Sequence, residues 1–74
     1  MIPPNLTHAE VGAFLSAVGE QMIERDLCAE AVLDGHSDQA MTDDLWVHYG
    51  VAEERIPELL QLTLQEAIEF VRLP

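Results

Sequence analysis

Thr7-His8-Ala9-Glu10 and Thr63-Leu64-Gln65-Glu66 carry the same local instruction near the two ends of a 74-residue chain. In each, a threonine hydroxyl can cap the free amides of a new helix, and a glutamate three residues on can reach back to the threonine's own amide. Each box is bracketed by an apolar pair able to close over the first turn, Leu6 with Val11 and Leu62 with Ala67. A short chain that writes helix starts this explicitly at both ends has little room for a sheet.

After the first box, Val11, Phe14, Leu15, Val18 and Met22 fall on one helical face, and Ala29, Val32 and Leu33 return to it. Arg25 and Asp26 interrupt the stripe between them. This predicts a helix over 8–25 and a second or bent segment over 27–34, stopped by Gly35. Cys28–Leu33 is the one stretch that could instead be extended. Gly35-His36-Ser37-Asp38-Gln39 reads as a loop. A further helix start is expected at Thr42, with Asp43 and Asp44 at the positive end of the dipole and Met41 and Trp46 as the staple. Trp46 is accordingly expected in the core. Leu45, Trp46 and Tyr49 make this helix's apolar side, Gly50 ends it, and Val51 can fold back on the last turn. Pro57 suits the first position of a short helix through Leu60, and Leu64, Ala67, Ile68 and Val71 stripe a final one.

The composition agrees with helices. Hydrophobic residues are 49% of the chain and aromatics only 5%, an aliphatic mix that suits small helical bundles better than sheets. The expected fold is all-α: one domain over 1–74, a compact bundle of four to five short helices. One cysteine, Cys28, excludes an internal disulfide. A chain this size buries only roughly 60% of the surface its unfolded form exposes, so aliphatic packing, a partner or a second copy must complete the core. A monomer or a homodimer is compatible with this.

Charge narrows the function. Fourteen Asp and Glu stand against three Arg and no Lys, a formal net charge of −11. Such a field repels nucleic acid and anionic membranes and attracts basic protein surfaces. No direct nucleic-acid binding is expected. No apolar run is long enough to span a membrane, and the N-terminal Met1-Ile2-Pro3-Pro4-Asn5 lacks the pattern of a signal peptide. A cytoplasmic location is therefore expected.

Catalytic signatures are weak. Ser37 follows His36, but adjacent residues rarely form a working pair and no oxyanion motif follows. Cys28 has only Arg25 nearby to lower its pKa and is expected as a small buried hydrophobe. Asp34-Gly35-His36-Ser37-Asp38 offers metal-type ligands in a loop but fails the calcium-loop pattern, while His8 and His48 are too scattered along the chain to support a transition-metal site. No enzyme activity, metal or cofactor is expected.

The clearest functional signal is acid without nearby base. Glu20 and Glu24 lie one turn apart with no cation four residues away. Asp34, Asp38, Asp43 and Asp44 crowd one loop and helix start, and Glu53, Glu54 and Glu58 crowd the next connection. These nine are the candidate partner-binding residues. The plainer readings are solubility and, for Glu10, Asp43, Asp44 and Glu66, the helix dipole.

Two resemblances follow. Tyr49-Gly50-Val51 through Ile56-Pro57 to Thr63-Leu64-Gln65-Glu66-Ala67-Ile68-Glu69-Phe70-Val71 resembles the end of an acyl carrier protein, a family of acidic four-helix bundles. The resemblance implies phosphopantetheine on a serine of an Asp-Ser-Leu motif. Ser37 stands at a plausible position, but its setting is His36-Ser37-Asp38. In profile alone, the chain is similar to phage-encoded inhibitors of host defence of the anti-CRISPR or DNA-mimic type, which are small, acidic and non-enzymatic. The expected function is a protein-binding module that blocks a basic nucleic-acid-binding surface of a larger protein. The alternatives are a carrier-like domain and an antitoxin or adaptor subunit.

Overall fold

Both capping boxes are formed. In the computed structural model, which describes residues 5–33 and 38–72, the Glu10 amide donates to Thr7 Oγ1 at 3.1 Å and the Thr7 amide to Glu10 Oε1 at 3.0 Å. The Glu66 amide donates to Thr63 Oγ1 and the Thr63 amide to Glu66 Oε1, each at 3.0 Å. Leu6, Val11, Leu62 and Ala67, the bracketing residues, are all buried. The elements are α1 (His8–Arg25), α2 (Ala29–Leu33), α3 (Asp38–Val47), a 3-10 turn (Glu53–Arg55), α4 (Ile56–Leu60) and α5 (Leu64–Arg72). The fold is all-α, and no strand occurs among the described residues.

α1 is the common wall: it packs against α2, α3, α4 and α5, and α3 also packs on α4. Val11, Phe14, Ala17 and Val18 of α1 are buried with Val32, Met41, Leu45, Ile56 and Leu59. Met22, placed in the stripe by its spacing, lies at the edge and is exposed. Phe70 of α5 joins the core margin, its ring 4.9 Å from that of His8.

α1 ends on Asp26, a non-glycine residue in the left-handed region at φ 52°. Its amide donates to the Met22 carbonyl, and so does that of Leu27 at 3.1 Å. Asp tolerates this conformation better than most residues, but its carboxylate sits at the negative end of the helix dipole. The following segment is helical over Ala29–Leu33, not extended. Only Val32 of α2 is fully buried, and Cys28 just before it is exposed, contrary to the small buried hydrophobe expected.

The largest departure from the sequence pattern is in α3. The helix begins at Asp38, a full turn before Thr42, so Thr42, Asp43 and Asp44 are interior positions and not a cap. The staple between Met41 and Trp46 needed a non-helical Thr42. Inside a continuous helix, residues five apart are rotated by roughly 140°, and the two cannot share a face. Met41 and Leu45 take the core, whereas Trp46 is 54% exposed and Val47 68%. Trp46 is thus a surface residue, not a core one. The helix stops where expected: Gly50 takes φ 66°, and Val51 folds back to donate to the Leu45 carbonyl at 2.9 Å and is buried.

Arg55 ties the second half of the chain to the first box. Its Nε donates to Glu10 Oε2 at 2.8 Å, and its Nη2 to Glu10 Oε1 at 3.0 Å and to the Asn5 carbonyl at 2.6 Å. Nη1 lies 3.7 Å from Glu58 Oε2. The guanidinium, with the Thr7 backbone and hydroxyl, holds the Glu10 carboxyl down at about 2. Pro57 sits in the first turn of α4, as its missing N–H favours.

Two outcomes follow from these contacts. Arg55→Met should destabilise the fold by about 2 kcal/mol at neutral pH, because charge-assisted bonds are lost and a part-buried carboxylate is left alone. The folded Glu10 pKa is depressed, so its stabilisation is present above 4.5 and fades as pH falls toward about 2. Urea denaturation at pH 7 and pH 2 should show the difference between wild type and Arg55→Met shrink at the lower pH. Asp26→Gly should raise stability by about 1 kcal/mol, through relief of the left-handed φ and removal of a charge opposed by the dipole. An unchanged or lower denaturation midpoint would contradict this.

Candidate functional site

Where α1 lies against α3, the sequence supplies polar residues on both inward flanks. On α1 they are Glu20, Gln21 and Glu24; on α3 they are Asp44 and, just past its end, His48. Glu20 and Glu24 are four apart, as are Asp44 and His48, so each pair stands one turn apart on its own helix. Helix packing then sets the two pairs opposite one another.

The innermost contact is between two buried polar side chains. Gln21 is 3% exposed and Asp44 8%, and Gln21 Nε2 donates to Asp44 Oδ2 at 2.6 Å. The same amide reaches Glu24 Oε2 at 3.4 Å. Asp44's other oxygen, Oδ1, is turned outward, 3.4 Å from His48 Nδ1. His48 Nδ1 is also 3.2 Å from Glu20 Oε2. The ligating atoms of Glu20, Asp44 and His48 all lie within 4.8 Å of one another.

The electrostatics follow from this crowding. The hydrogen bond to Glu20 raises the His48 pKa, reinforced by the charges of Glu20, Asp44 and Glu24 and opposed by partial desolvation. Burial raises the Tyr49 pKa, helped by a hydrogen bond to Glu20 and by the charges of Glu20 and Asp44. The ion pairs on this face among the described residues all use His48 as the cation.

The nine candidate residues separate into groups. Glu20 is half-buried and Glu24 exposed on α1; Asp43 is exposed on α3, where Gln39 Nε2 donates to it at 3.0 Å. Asp44, also on α3, faces α1, is buried and is already bonded to Gln21 through Oδ2, with Oδ1 toward His48. Glu53 and Glu54 are exposed on the 3-10 turn. Glu58 is half-buried on α4, engaged by Arg55 and by Asn5 Nδ2 at 3.4 Å, and so is not an uncompensated charge. Asp34 lies outside the described residues, as do Gly35, His36, Ser37 and the side chain of Asp38. The metal-type loop and the serine on which the carrier-protein resemblance depends are among these.

Of the residues gathered here, the sequence sets His48 aside as too scattered for a metal site, places Tyr49 on an apolar helix side and carries no signal for Gln21. The two i, i+4 pairs were visible in the chain, but nothing local said that they face each other. Trp46 and Val47 occupy, with Asp43, the outward side of α3, and Trp46 is rotated by roughly 200° from Asp44.

Elsewhere, a surface groove of about 380 Å³ lies between α2 and the start of α5, lined by Glu30, Leu33, Leu62, Thr63 and Leu64. Among the described residues that line it, Glu30 is the one ionisable side chain.

Compared with protein-family models, curated proteins and solved structures, the chain has no match.

The raised His48 pKa has a definite sign for stability. The imidazolium's contribution is present in full below the unfolded value of 6.5 and is lost as pH rises through the folded pKa. Glu20→Gln should lower the His48 pKa, read by NMR titration of its ring protons, and should weaken the pH dependence of stability above pH 6. An unmoved titration would show that the Glu20 contact does not persist in solution.

Proposed function

We propose that this chain is a non-enzymatic binding module whose α1–α3 face docks on a basic surface of a larger protein. The blocked surface would be one that otherwise holds nucleic acid. The observation that supports this most is the cation deficit of that face. Glu20 and Glu24 of α1 stand opposite Asp44 of α3, Asp43 is exposed on the outward side of α3, and among the described residues the ion pairs of Glu20 and Asp44 draw on one histidine. Arg55, the arginine with ion pairs among the described residues, is committed to Glu10 and Glu58.

Carboxylates presented this way can take the bidentate hydrogen bonds that arginines otherwise give to phosphates. A field of this sign speeds encounter with a basic groove and repels the nucleic acid competing for it. Trp46 and Val47 add what charge cannot. An exposed Trp one turn from an exposed aspartate, Asp43, is the residue type that anchors interfaces, through apolar burial and stacking on arginine.

The test is capture of partners from host lysate on the immobilised chain at low and high salt, with DNA or RNA added as competitor. A nucleic-acid-binding protein should be retained, released by competitor, and held at least about tenfold less tightly at high salt. The triple variant Glu20→Gln, Glu24→Gln, Asp43→Asn should lose it, and equal retention by the variant would overturn the reading. Trp46→Ala should weaken the same complex by about 2 kcal/mol while shifting fold stability by no more than about 0.5 kcal/mol.

A further inference from the structure

We propose that Glu20, Asp44 and His48 form a binding site for one divalent transition-metal ion of the zinc type. This inference does not depend on the docking reading above.

The donor set is one imidazole nitrogen and two carboxylate oxygens, contributed by α1, α3 and the turn that follows α3. A nitrogen donor beside carboxylates favours zinc, cobalt or nickel over magnesium or calcium, which prefer oxygen alone. Spacing supports the same choice. Metal–ligand bonds of about 2.1 Å at angles between the octahedral and tetrahedral values place neighbouring donors about 3.0–3.4 Å apart. His48 Nδ1 lies 3.2 Å from Glu20 Oε2 and 3.4 Å from Asp44 Oδ1. Glu20 is half-buried at the edge of the site, and rotation of its side chain closes the third edge, now within 4.8 Å.

The support behind the ligands is also of the kind metal sites use. Asp44 is fixed from behind by the buried Gln21 amide on Oδ2, which leaves Oδ1 as the outward donor. A ligand carboxylate oriented by a hydrogen bond on its far oxygen is a general feature of such sites. Three protein ligands at a half-exposed position leave room for water in the fourth. The ion would replace the proton that His48 holds between two carboxylates, and would join α1 to α3 through coordinate bonds.

The experiment is titration of the full chain, free of any polyhistidine tag, with zinc chloride by calorimetry, and with cobalt(II) followed by its visible absorption. The expected result is one ion per chain, with cobalt bands of four- or five-coordinate character. His48→Gln and Glu20→Gln each should weaken binding at least about tenfold, and Gln21→Leu about 10–100-fold. The first two change half-exposed side chains, so the test survives if Gln21→Leu fails to fold. Cys28→Ser and His8→Gln should change nothing. Failure to saturate, indifference to His48→Gln or Glu20→Gln, loss of binding in Cys28→Ser, or displacement by excess magnesium would each overturn the site. The last would mark diffuse attraction to an acidic surface, and failure to saturate would leave His48 occupied by a proton only.

Discussion

With three arginines for fourteen carboxylates, the position of each cation decides where negative charge is left over. Arg55 is spent on the scaffold. Its guanidinium holds Glu10, the residue that also closes the first capping box, and so joins the start of α1 to the entry of α4. Arg25 and Arg72 stand in the last turns of α1 and α5, where the dipole favours a positive charge. Among the described residues, the ion pairs of the α1–α3 face are therefore left to His48, a cation only when protonated.

That face is held by a polar contact inside the bundle. A chain this small has little apolar surface to bury, yet it encloses Gln21 and Asp44 against each other. The pair is bonded, which offsets the desolvation that an isolated carboxylate would suffer. It also works as a register mark: a slip of α3 along α1 by one residue would leave both groups buried and unpaired. The same contact fixes where Asp44, and with it His48, stands relative to Glu20. Fold and site thus share one hydrogen bond.

The site and the exposed aromatic are consequences of the same helix. Because α3 turns Met41 and Leu45 inward, Trp46 and Val47 must point out, beside Asp43. In a monomer this is an expensive surface to leave open, and in a binding protein it is a useful one. The proposed docking face joins that apolar step to an acidic field, and the proposed metal site sits within the field without needing the docking partner.

Much of the fold was legible in the chain because it is written in local chemistry. The two Thr-x-x-Glu boxes, Pro57 at the start of α4 and Gly50 after α3 each act within a few residues, and each took the place that its own hydrogen bonds or φ angle required. Thr42-Asp43-Asp44 carried a similar pattern and misled, since a capping residue can also sit inside a helix that begins earlier. Which option wins depends on whether Met41 is needed by the core. The acidity was equally plain in the sequence, but not its division into charges answered by Arg55 and charges left over. Pairing Glu10 with Arg55, or Gln21 with Asp44, joins residues 45 and 23 positions apart. No local propensity encodes such a separation; it is set when the apolar stripes of the helices pack, and only the tertiary structure decides it.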